Sequence, residues 1–508
     1  MISSGFSLGL LATLQAVIPA YASSLLFTSG TIIGFDPQLN NLNVIRNGSL
    51  LVDHDRIAAI WSAEETPPVT IPPNIESIDV SGKILTPGLV DTHRHGWQTL
   101  FKTMMSNITL SAYLGRFSEF AAAGRIDSEQ VYISQLAGLY EGLNAGTTTS
   151  LDHAHHTWSD DTAWAGLNAS LDSGARVFWA YAFHEVVNYT ISEQLVNFRD
   201  IMSSAPLENT TVSVGIAFDG FTPATANPKS VAEVFSLARD LDVAVITTHN
   251  SGGPNGFGNS PEALHALGML NTSIPAVFAH STQITYEDTV LLRSTNQHIS
   301  ITPETEMGQG LGHEHSALIL DQAALGVDSH GYVSTDLVTQ GRVWLQSTRA
   351  KINDQVLENW QILASSPMSV TQAFLLITRN GGLALRRPDL GVLSVGAKAD
   401  IVVWDGTSPG MLGWLDPVAA IILHSNPGDV EHVLVDGKFV KRDFKLTARN
   451  LESIRARFLE AARKAQNDWR KIPYPEKQEF FMSGARLRDP DQVDVTAGDG
   501  TGYGQLYL

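Results

Sequence analysis

Eight apolar, β-rich runs recur through the middle of the chain, and each ends in polar or glycine residues before a segment of helical periodicity. The runs start about 34 residues apart on average, which is the length of one strand-helix unit of a barrel. No glycine-rich phosphate turn follows any of them, so an α/β fold with a closed (β/α)8 TIM barrel is favoured over an open doubly wound sheet. The predicted strands are Ile84–Val90, Thr147–Leu151, Arg176–Phe183, Val212–Phe218, Ala244–Thr248, Ala276–Ala279, Ile299–Thr302 and Ala324–Val327.

Two further β-rich stretches bracket the barrel pattern. Leu25–Ile60 alternates apolar and polar residues around the turn Asn47-Gly48, and Asp400–Val403 and Val430–Val440 resume the same pattern. We predict that the two pieces pair into one small β-sandwich that is discontinuous in sequence. The predicted division is a leader at 1–22, the composite β-sandwich at 23–83 and 386–445, the barrel at 84–385, and a C-terminal helix and tail at 446–508.

The N-terminus has the pattern of a secretory signal peptide. Phe6–Ala20 is apolar but too short to span a bilayer as a helix, and Ala20-Tyr21-Ala22 is a small-x-small cleavage pattern. A buried first strand or helix is the alternative, because no Lys or Arg precedes the apolar stretch. Six glycosylation sequons agree with a secreted eukaryotic glycoprotein, such as a fungal one. Their asparagines are Asn47, Asn107, Asn168, Asn188, Asn209 and Asn271.

Composition narrows the classes of partner and of site. The 508 residues carry a formal net charge of −19, which argues against nucleic acid or an anionic membrane as a partner. The chain contains no cysteine, so a metal site must be built from histidine and carboxylate side chains. We expect a small-molecule substrate, and a homo-oligomer is left open.

Four predicted strand ends carry side chains that bind metals. The first ends in Asp91-Thr92-His93-Arg94-His95, where the two-residue spacing of a strand points both imidazoles into the barrel mouth. His249, His280 and Asp328 follow three later strands. Catalytic groups of such barrels lie at this end of the strands. Histidines with one carboxylate suit a single divalent ion, Zn²⁺ or alternatively Fe²⁺, with one position left for water.

Two segments resemble the amidohydrolase superfamily, and in particular its cytosine deaminase and triazine hydrolase-like branch. Pro87-Gly88-Leu89-Val90-Asp91-Thr92-His93-Arg94-His95 is similar to the first-strand signature, and the segment from Gly391 to Val403 is similar to the return into the small β domain. The resemblance implies that the metal ligands are His93, His95, His249 and Asp328. It also implies that His280 orients the substrate or the metal-bound water and that Asp328 is the catalytic base.

Two departures from the family pattern matter. Binuclear members bridge their metals with a lysine of the fourth strand, but no Lys occurs between Lys102 and Lys229. We therefore predict one metal ion, with a carboxylate bridge through Asp219 left open. Ring deaminases of the branch also carry a proton-donating Glu three residues after the fifth-strand histidine, where this chain has Gly252. Deamination of a nucleobase-like ring is accordingly in doubt.

Further residues near the strand ends are candidates for substrate contact. Glu304 and Glu306 follow the seventh strand and are candidates for the missing acid, whereas solvated loop carboxylates are the alternative. His155 and His156 are weaker candidates for the pocket, and His313, Glu314 and His315 resemble a weak second metal cluster. The predicted substrate-binding residues are Trp97, Gln98, His153, His184, Glu304 and His330.

These observations predict a secreted, mononuclear metal-dependent hydrolase. It would use metal-activated water to cleave a C–N or related bond, other than a peptide bond, in a small cyclic or aromatic compound. The first alternative is an isomerase, lyase or cyclase of secondary metabolism that keeps the metal as a Lewis acid. A binding protein on the same barrel is the second alternative, and the intact ligand set argues against it.

Overall fold

The computed structural model describes residues 24–222, 227–312, 316–474, 476 and 478–490. The predicted leader at residues 1–22, the histidine cluster at residues 313–315 and the end of the predicted tail from residue 491 lie outside the described residues. Within the described part of the chain, no helix has the length and hydrophobicity that crossing a bilayer requires.

The strands fall into two sheets. They are β1 (Leu25–Asp36), β2 (Asn41–Asp53), β3 (Arg56–Ser62), β4 (Glu76–Asp79), β5 (Ile84–Pro87), β6 (Leu89–His95), β7 (Thr147–Ala154), β8 (Arg176–Phe183), β9 (Val212–Phe218), β10 (Ile246–Asn250), β11 (Ala276–His280), β12 (His298–Ile301), β13 (Ala323–Leu325), β14 (Asp328–Ser329), β15 (Ile401–Trp404), β16 (Val430–Val435), β17 (Lys438–Arg442) and β18 (Lys445–Leu446).

Strands β6 to β14 form one parallel sheet that returns on itself. Neighbouring strands pair in chain order from β6 to β13, and β14 pairs with β6. Only Gly326 and Val327 separate β13 from β14, so these two short segments together serve as the eighth strand. β13 pairs with the seventh strand, β12, and β14 pairs with the first, β6. This arrangement agrees with a TIM-like barrel and not with an open sheet. At Gly326 a Cβ atom would lie 2.7 Å from the backbone of His93, so the strands can meet here only at a glycine.

The first barrel strand begins later than predicted. The apolar run Ile84–Val90 is divided at Gly88: β5 pairs with β15 of the other sheet, whereas β6 pairs with β7. A Cβ atom at Gly88 would clash with the side chain of Thr148, so only glycine allows the chain to pass this close to β7. The predicted limits of β8 and β9 agree with the structure.

The other sheet joins strands from both ends of the described chain. Its order is β18-β17-β16-β15-β5-β1-β2-β3, and β4 pairs with β1. A separate apolar core that includes Phe27, Leu50 and Val403 packs against it. The two predicted pieces therefore join in one hydrogen-bonded sheet, while the two-layer sandwich and the domain limits stay predictions.

Helices follow most barrel strands, and side-chain caps begin many of them. Asp127 and Gln130, for example, form a reciprocal capping box at α3. The helices are α1 (Leu110–Arg116), α2 (Glu119–Ala122), α3 (Ser128–Asn144), α4 (Asp160–Asp172), α5 (Ile191–Met202), α6 (Pro228–Asp240), α7 (Pro261–Ala266), α8 (Tyr286–Thr295), α9 (Pro303–Gly308), α10 (Leu337–Leu357), α11 (Val370–Leu376), α12 (Arg379–Ala384), α13 (Pro417–Ala419) and α14 (Leu451–Arg470).

The C-terminal helix α14 packs one face on the body. Ala461, Ala462, Ala465 and Trp469 are buried on it. Trp469 donates its indole N–H to the carbonyl of Arg116 at 2.9 Å, and its ring lies 4.6 Å from that of Phe101. The helix thereby packs against the segment after β6, which contains Phe101 and Arg116.

Candidate active site and metal centre

Three barrel strands bring the predicted ligands together. His93 and His95 lie on β6, His249 lies on β10, and Asp328 begins β14. The Oδ1 atom of Asp328 is 3.5 Å from Nε2 of His93 and 3.2 Å from Nε2 of His95. The Nε2 atoms of His95 and His249 are 3.3 Å apart.

Hydrogen bonds at the far side of two rings set their tautomers. Nδ1 of His95 donates to the backbone carbonyl of His153 at 2.9 Å, and Nδ1 of His249 donates to Asp219 Oδ2 at 2.8 Å. Asp219 also accepts from the backbone N–H of His249 at 2.7 Å and from the hydroxyl of Thr248 at 3.0 Å. Asp219 thus orients His249, which is the usual task of a carboxylate behind a metal ligand.

The arrangement fits a divalent cation. With Nδ1 donating, the neutral forms of His95 and His249 carry an unprotonated Nε2; these two atoms face each other, and that of His95 also faces the Asp328 carboxylate. Electron pairs that converge in this way repel one another unless a cation lies between them. Ligand atoms of a tetrahedral ion with bonds of about 2.0 to 2.2 Å are about 3.3 to 3.6 Å apart, close to the observed separations. In addition, both ring nitrogens of the buried His93 make no hydrogen bond within the described structure.

The protonation states of these side chains agree with the binding of a metal ion. Burial lowers the pKa of His93 well below its ordinary value, so the ring is neutral. Burial opposes ionisation of Asp328, and its pKa lies well below the usual range only where His93 and His95 donate to it as protonated rings; in the neutral centre a bound cation would take their place. Neutral imidazole and ionised carboxylate are the forms that bind metals.

His280, at the end of β11, faces the same centre. Its Nδ1 atom lies 3.0 Å from the hydroxyl of Thr302, and its ring stacks beside that of His249 at 5.6 Å. The backbone of His280 has φ 70° and that of Asp328 has φ 64°. Non-glycine residues in this left-handed region are strained, and such strain clusters at functional sites.

A cavity of about 290 Å³ opens above these residues. His95, His249, His280 and Asp328 form part of its floor. Its walls are mostly apolar, and no Lys or Arg is among the described residues that line it. The wall residues include Leu110, Tyr113, Leu114, Glu119, Phe120, His153, His155, Phe183, His184, Phe218, Phe257, Leu311 and Met482.

Of the six predicted substrate-binding residues, only His153 and His184 line the cavity. Trp97 and Gln98 lie outside it, because Gly96–Phe101 forms a tight helical turn that directs them into the core. The Trp97 ring packs 5.2 Å from that of Trp158. The Gln98 amide donates to the hydroxyl of Tyr113 at 2.8 Å and so acts on the cavity wall from behind.

The acids after the seventh strand also differ from expectation. Glu304 and Glu306 occupy α9, where side chains two residues apart lie on different faces of a helix. Glu304 points away from the cavity, and its backbone N–H donates to Gln340 at 3.1 Å. Glu306 is fully buried behind His280, 3.5 Å from its Nδ1 atom.

The remaining histidines have varied surroundings. His330 is buried with Nδ1 at 3.2 Å from the hydroxyl of Thr99, and it does not line the cavity. His156 accepts a hydrogen bond from the indole N–H of Trp179 at 3.4 Å in the core. His155 does line the cavity and stacks on His95 at 3.8 Å.

Glu119, Tyr113 and Met482 also line the cavity, although no sequence pattern singles them out. Glu119 begins α2, well beyond the histidine pair of β6, and no motif surrounds it. Met482 belongs to residues 478–490, the C-terminal segment of the described chain, in which Ser483 donates to the carbonyl of Pro254 at 2.5 Å. Only the abundance of apolar residues between Thr109 and Ala123 gave a signal, and it did not single out any residue.

The barrel and its histidine-carboxylate centre define a metal-dependent hydrolase. The chain belongs to the Amidohydrolase family, which it matches over residues 84–440. The prediction of a metal-dependent hydrolase that acts on carbon–nitrogen bonds other than peptide bonds is confirmed at this level.

Two curated relatives cover most of the chain. It is 26% identical over 426 residues to 5'-deoxyadenosine deaminase of Methanobrevibacter smithii, covering 80% of this chain and 91% of the relative. It is 26% identical over 451 residues to 5-methylthioadenosine/S-adenosylhomocysteine deaminase of Symbiobacterium thermophilum, covering 86% and 98%.

Solved structures show the same fold. An adenosine deaminase from Xanthomonas campestris with bound zinc has a TM-score of 0.74 at 18% identity, covering 89% of this chain and 99% of that one. A mutant of atrazine chlorohydrolase from Arthrobacter aurescens, complexed with zinc and atraton, has a TM-score of 0.72 at 20% identity, covering 86% and 100%. The predicted resemblance to deaminases and triazine hydrolases thus agrees with these neighbours.

Proposed function

We propose that this protein is a mononuclear zinc hydrolase that cleaves a C–N or related bond of a small, uncharged cyclic or aromatic compound. His93, His95, His249 and Asp328 would hold the ion, with Fe²⁺ as the alternative metal. The observation that carries the proposal is the convergence of unprotonated Nε2 atoms and one carboxylate at 3.2 to 3.5 Å beneath the cavity.

Each catalytic group has a defined task. When bound, the metal lowers the pKa of water from about 15.7 toward 7 and so supplies a nucleophile at neutral pH. Asp328 accepts the proton of the attacking water and returns it to the leaving nitrogen. His280, held by Thr302 at Nδ1, hydrogen-bonds a heteroatom of the attacked carbon through Nε2. Asp219 keeps the His249 ring in the tautomer that ligation requires.

The residues that line the cavity favour an uncharged substrate. Its described lining holds Glu119 and Asp219 in addition to Asp328, but no Lys or Arg. A phosphate or carboxylate group would therefore have no cationic partner there, and burying an unpaired charge is costly. Several relatives are deaminases of modified adenosines, so a nucleoside with an uncharged 5' end fits these constraints better than a nucleotide.

A specific observation favours the non-hydrolytic alternative. Gly252, where related ring deaminases carry their acid, has φ 67° and ψ −168°, a conformation that only glycine adopts readily. The fifth-strand loop is thus built without a side chain at this position. An isomerase, lyase or cyclase that uses the metal as a Lewis acid would not need that acid.

Isotope labelling separates the two functions. Zinc-loaded protein is incubated in H₂¹⁸O with 5'-deoxyadenosine, 5-methylthioadenosine and atrazine, and the products are analysed by mass spectrometry. A product that carries the label, and is absent with Asp328→Asn, supports hydrolysis. An unlabelled product of unchanged mass supports isomerisation, and no conversion of any compound contradicts the proposed substrate class.

Export to the secretory pathway is part of the proposal. The leader pattern supports it, and the asparagines of all six sequons are exposed. Protein from a eukaryotic host should begin near Ser23 and carry N-glycans, which intact-mass and N-terminal analysis would detect. An active, unglycosylated native protein that retains Met1 would contradict this part. A homo-oligomer stays a prediction.

A further inference from the structure

The loop after β10 excludes an acid at the family position. At Gly252 the backbone conformation admits glycine, and a Cβ atom would lie 3.3 Å from that of Gln283. Hydrolytic removal of an amino group from a nitrogen heteroaromatic ring still requires a proton on the ring nitrogen while water adds to the neighbouring carbon. If the proposed function holds for such a ring, the proton must come from another residue that borders the cavity.

Most nearby carboxyls already have other tasks. Asp328 faces the metal ligands, and both oxygens of Asp219 bind the His249 segment. Glu306 is fully buried and accepts from the backbone N–H of Thr302 at 2.8 Å. Glu304 lies outside the cavity. Among the described residues that line the cavity, Glu119 is the acid that remains.

Glu119 has the position of a proton donor. It begins α2 in the segment after β6, its side chain is only 13% exposed, and it borders the same cavity as His280 and Asp328. The Glu119 carboxylate lies 3.8 Å from Nδ1 of His155, which is longer than a hydrogen bond. The His155 ring stacks in turn on His95 at 3.8 Å, so the carboxyl is one imidazole away from a predicted metal ligand.

The electrostatic surroundings raise the pKa of the Glu119 carboxyl above its ordinary value. Burial is the main cause and the negative charge of Asp219 adds to it, whereas His249 and His95 lower the pKa. No cationic side chain is among the described residues that line the cavity. A neutral acid in an apolar wall can donate a hydrogen bond to a substrate, which a carboxylate cannot.

We propose that Glu119 is the catalytic acid that protonates the ring nitrogen of a heteroaromatic substrate, in place of the missing fifth-strand glutamate. The inference rests on the proposed hydrolytic function. The reaction breaks the bond from the ring carbon to its amino nitrogen and forms a carbon–oxygen bond to water. One water proton reaches the departing nitrogen through Asp328. The other restores Glu119, whose own proton stays on the ring nitrogen of the product.

The first test needs no substrate. Infrared spectra of the zinc-loaded wild type and of Glu119→Gln are compared at pH 7. The difference should contain the carbonyl stretch of one protonated carboxylic acid, because the other buried acids cancel. Glu304→Gln is the matched control, and the spectrum of this variant should still contain the band of the Glu119 carboxyl. If the Glu119→Gln difference contains only carboxylate bands, the proposal is overturned.

The second test measures catalysis with 5'-deoxyadenosine. Glu119→Gln should lower kcat about 10²-fold or more with little change in KM, while the zinc content stays at the wild-type value. Glu119→Asp should recover part of kcat, whereas Glu304→Gln should behave as wild type. A kcat within about threefold of wild type in Glu119→Gln would overturn the proposal. If the wild type converts none of the test compounds, the proposed function fails, and the infrared comparison alone decides the state of Glu119.

Discussion

The floor and the wall of the cavity are built by different means. Strand ends supply the floor, where His95 on β6, His249 on β10, His280 on β11 and Asp328 on β14 meet. Segments with no regular spacing supply the wall, including Glu119 from α2 and Met482 from the C-terminal segment. We expect the floor to carry the chemistry and the wall to select the substrate, so the two should respond differently to substitution.

The largest expected effect lies in the floor. Asp328→Asn should lower kcat/KM by about 10⁴-fold or more, because one change removes the predicted base and a predicted metal ligand. Elemental analysis of the wild type should find about one ion per chain and the variant should bind it more weakly. Two tightly bound ions in the wild type, both needed for activity, would contradict the single-metal prediction.

Support beneath the floor should matter next. Asp219→Asn should reduce metal affinity or activity by about 10- to 100-fold, the usual cost of losing a group that orients a ligand. An amide oxygen at Oδ1 still accepts from the backbone N–H of His249 and from Thr248, but the NH₂ group that replaces Oδ2 cannot accept from Nδ1 of His249, and the charge that favours that proton is lost. Competition with a chelator would measure the affinity. A loss as large as that of Asp328→Asn would indicate that Asp219 itself ligates.

This contrast explains what the sequence could predict. The predicted metal ligands follow strands whose apolar runs are regular, and the limits of two strands of the same barrel, β8 and β9, were predicted correctly. Trp97 and Gln98 were misassigned because extended geometry was assumed beyond His95, whereas Gly96 begins a helical turn. Glu304 was misassigned for the same reason at α9.

The residues of the wall could not be predicted in this way. Glu119 and Met482 come to line one cavity only through tertiary packing, and neither lies in a periodic pattern or a motif. Sequence reasoning can therefore place chemistry at strand ends more readily than specificity in loops.

The loop between floor and wall should resist a restored acid. Gly252→Glu should lower the free energy of unfolding by about 1 to 3 kcal/mol, because a non-glycine residue is strained at φ 67° and ψ −168°. We also expect no gain in ammonia release from cytosine or guanine. Denaturant unfolding measures the first effect, and Gly268→Ala is a comparison, since a Cβ there meets no atom within 4 Å although its φ is also positive at 70°. Improved deamination by Gly252→Glu would show that the loop tolerates the family acid.

The smallest expected effect lies at the rim of the wall. Met482 borders the cavity but is 76% exposed, so only about a quarter of its surface is in contact with other groups. Fully burying such a side chain contributes about 1.5 to 3 kcal/mol, so Met482→Ala should raise KM only about twofold to fourfold. The metal content and kcat should not change, because a mostly exposed side chain at the cavity contributes to substrate binding and not to metal ligation. Steady-state kinetics at saturating zinc measures both constants, and an equal fall in kcat would show that the C-terminal segment acts on the chemistry as well as on substrate binding.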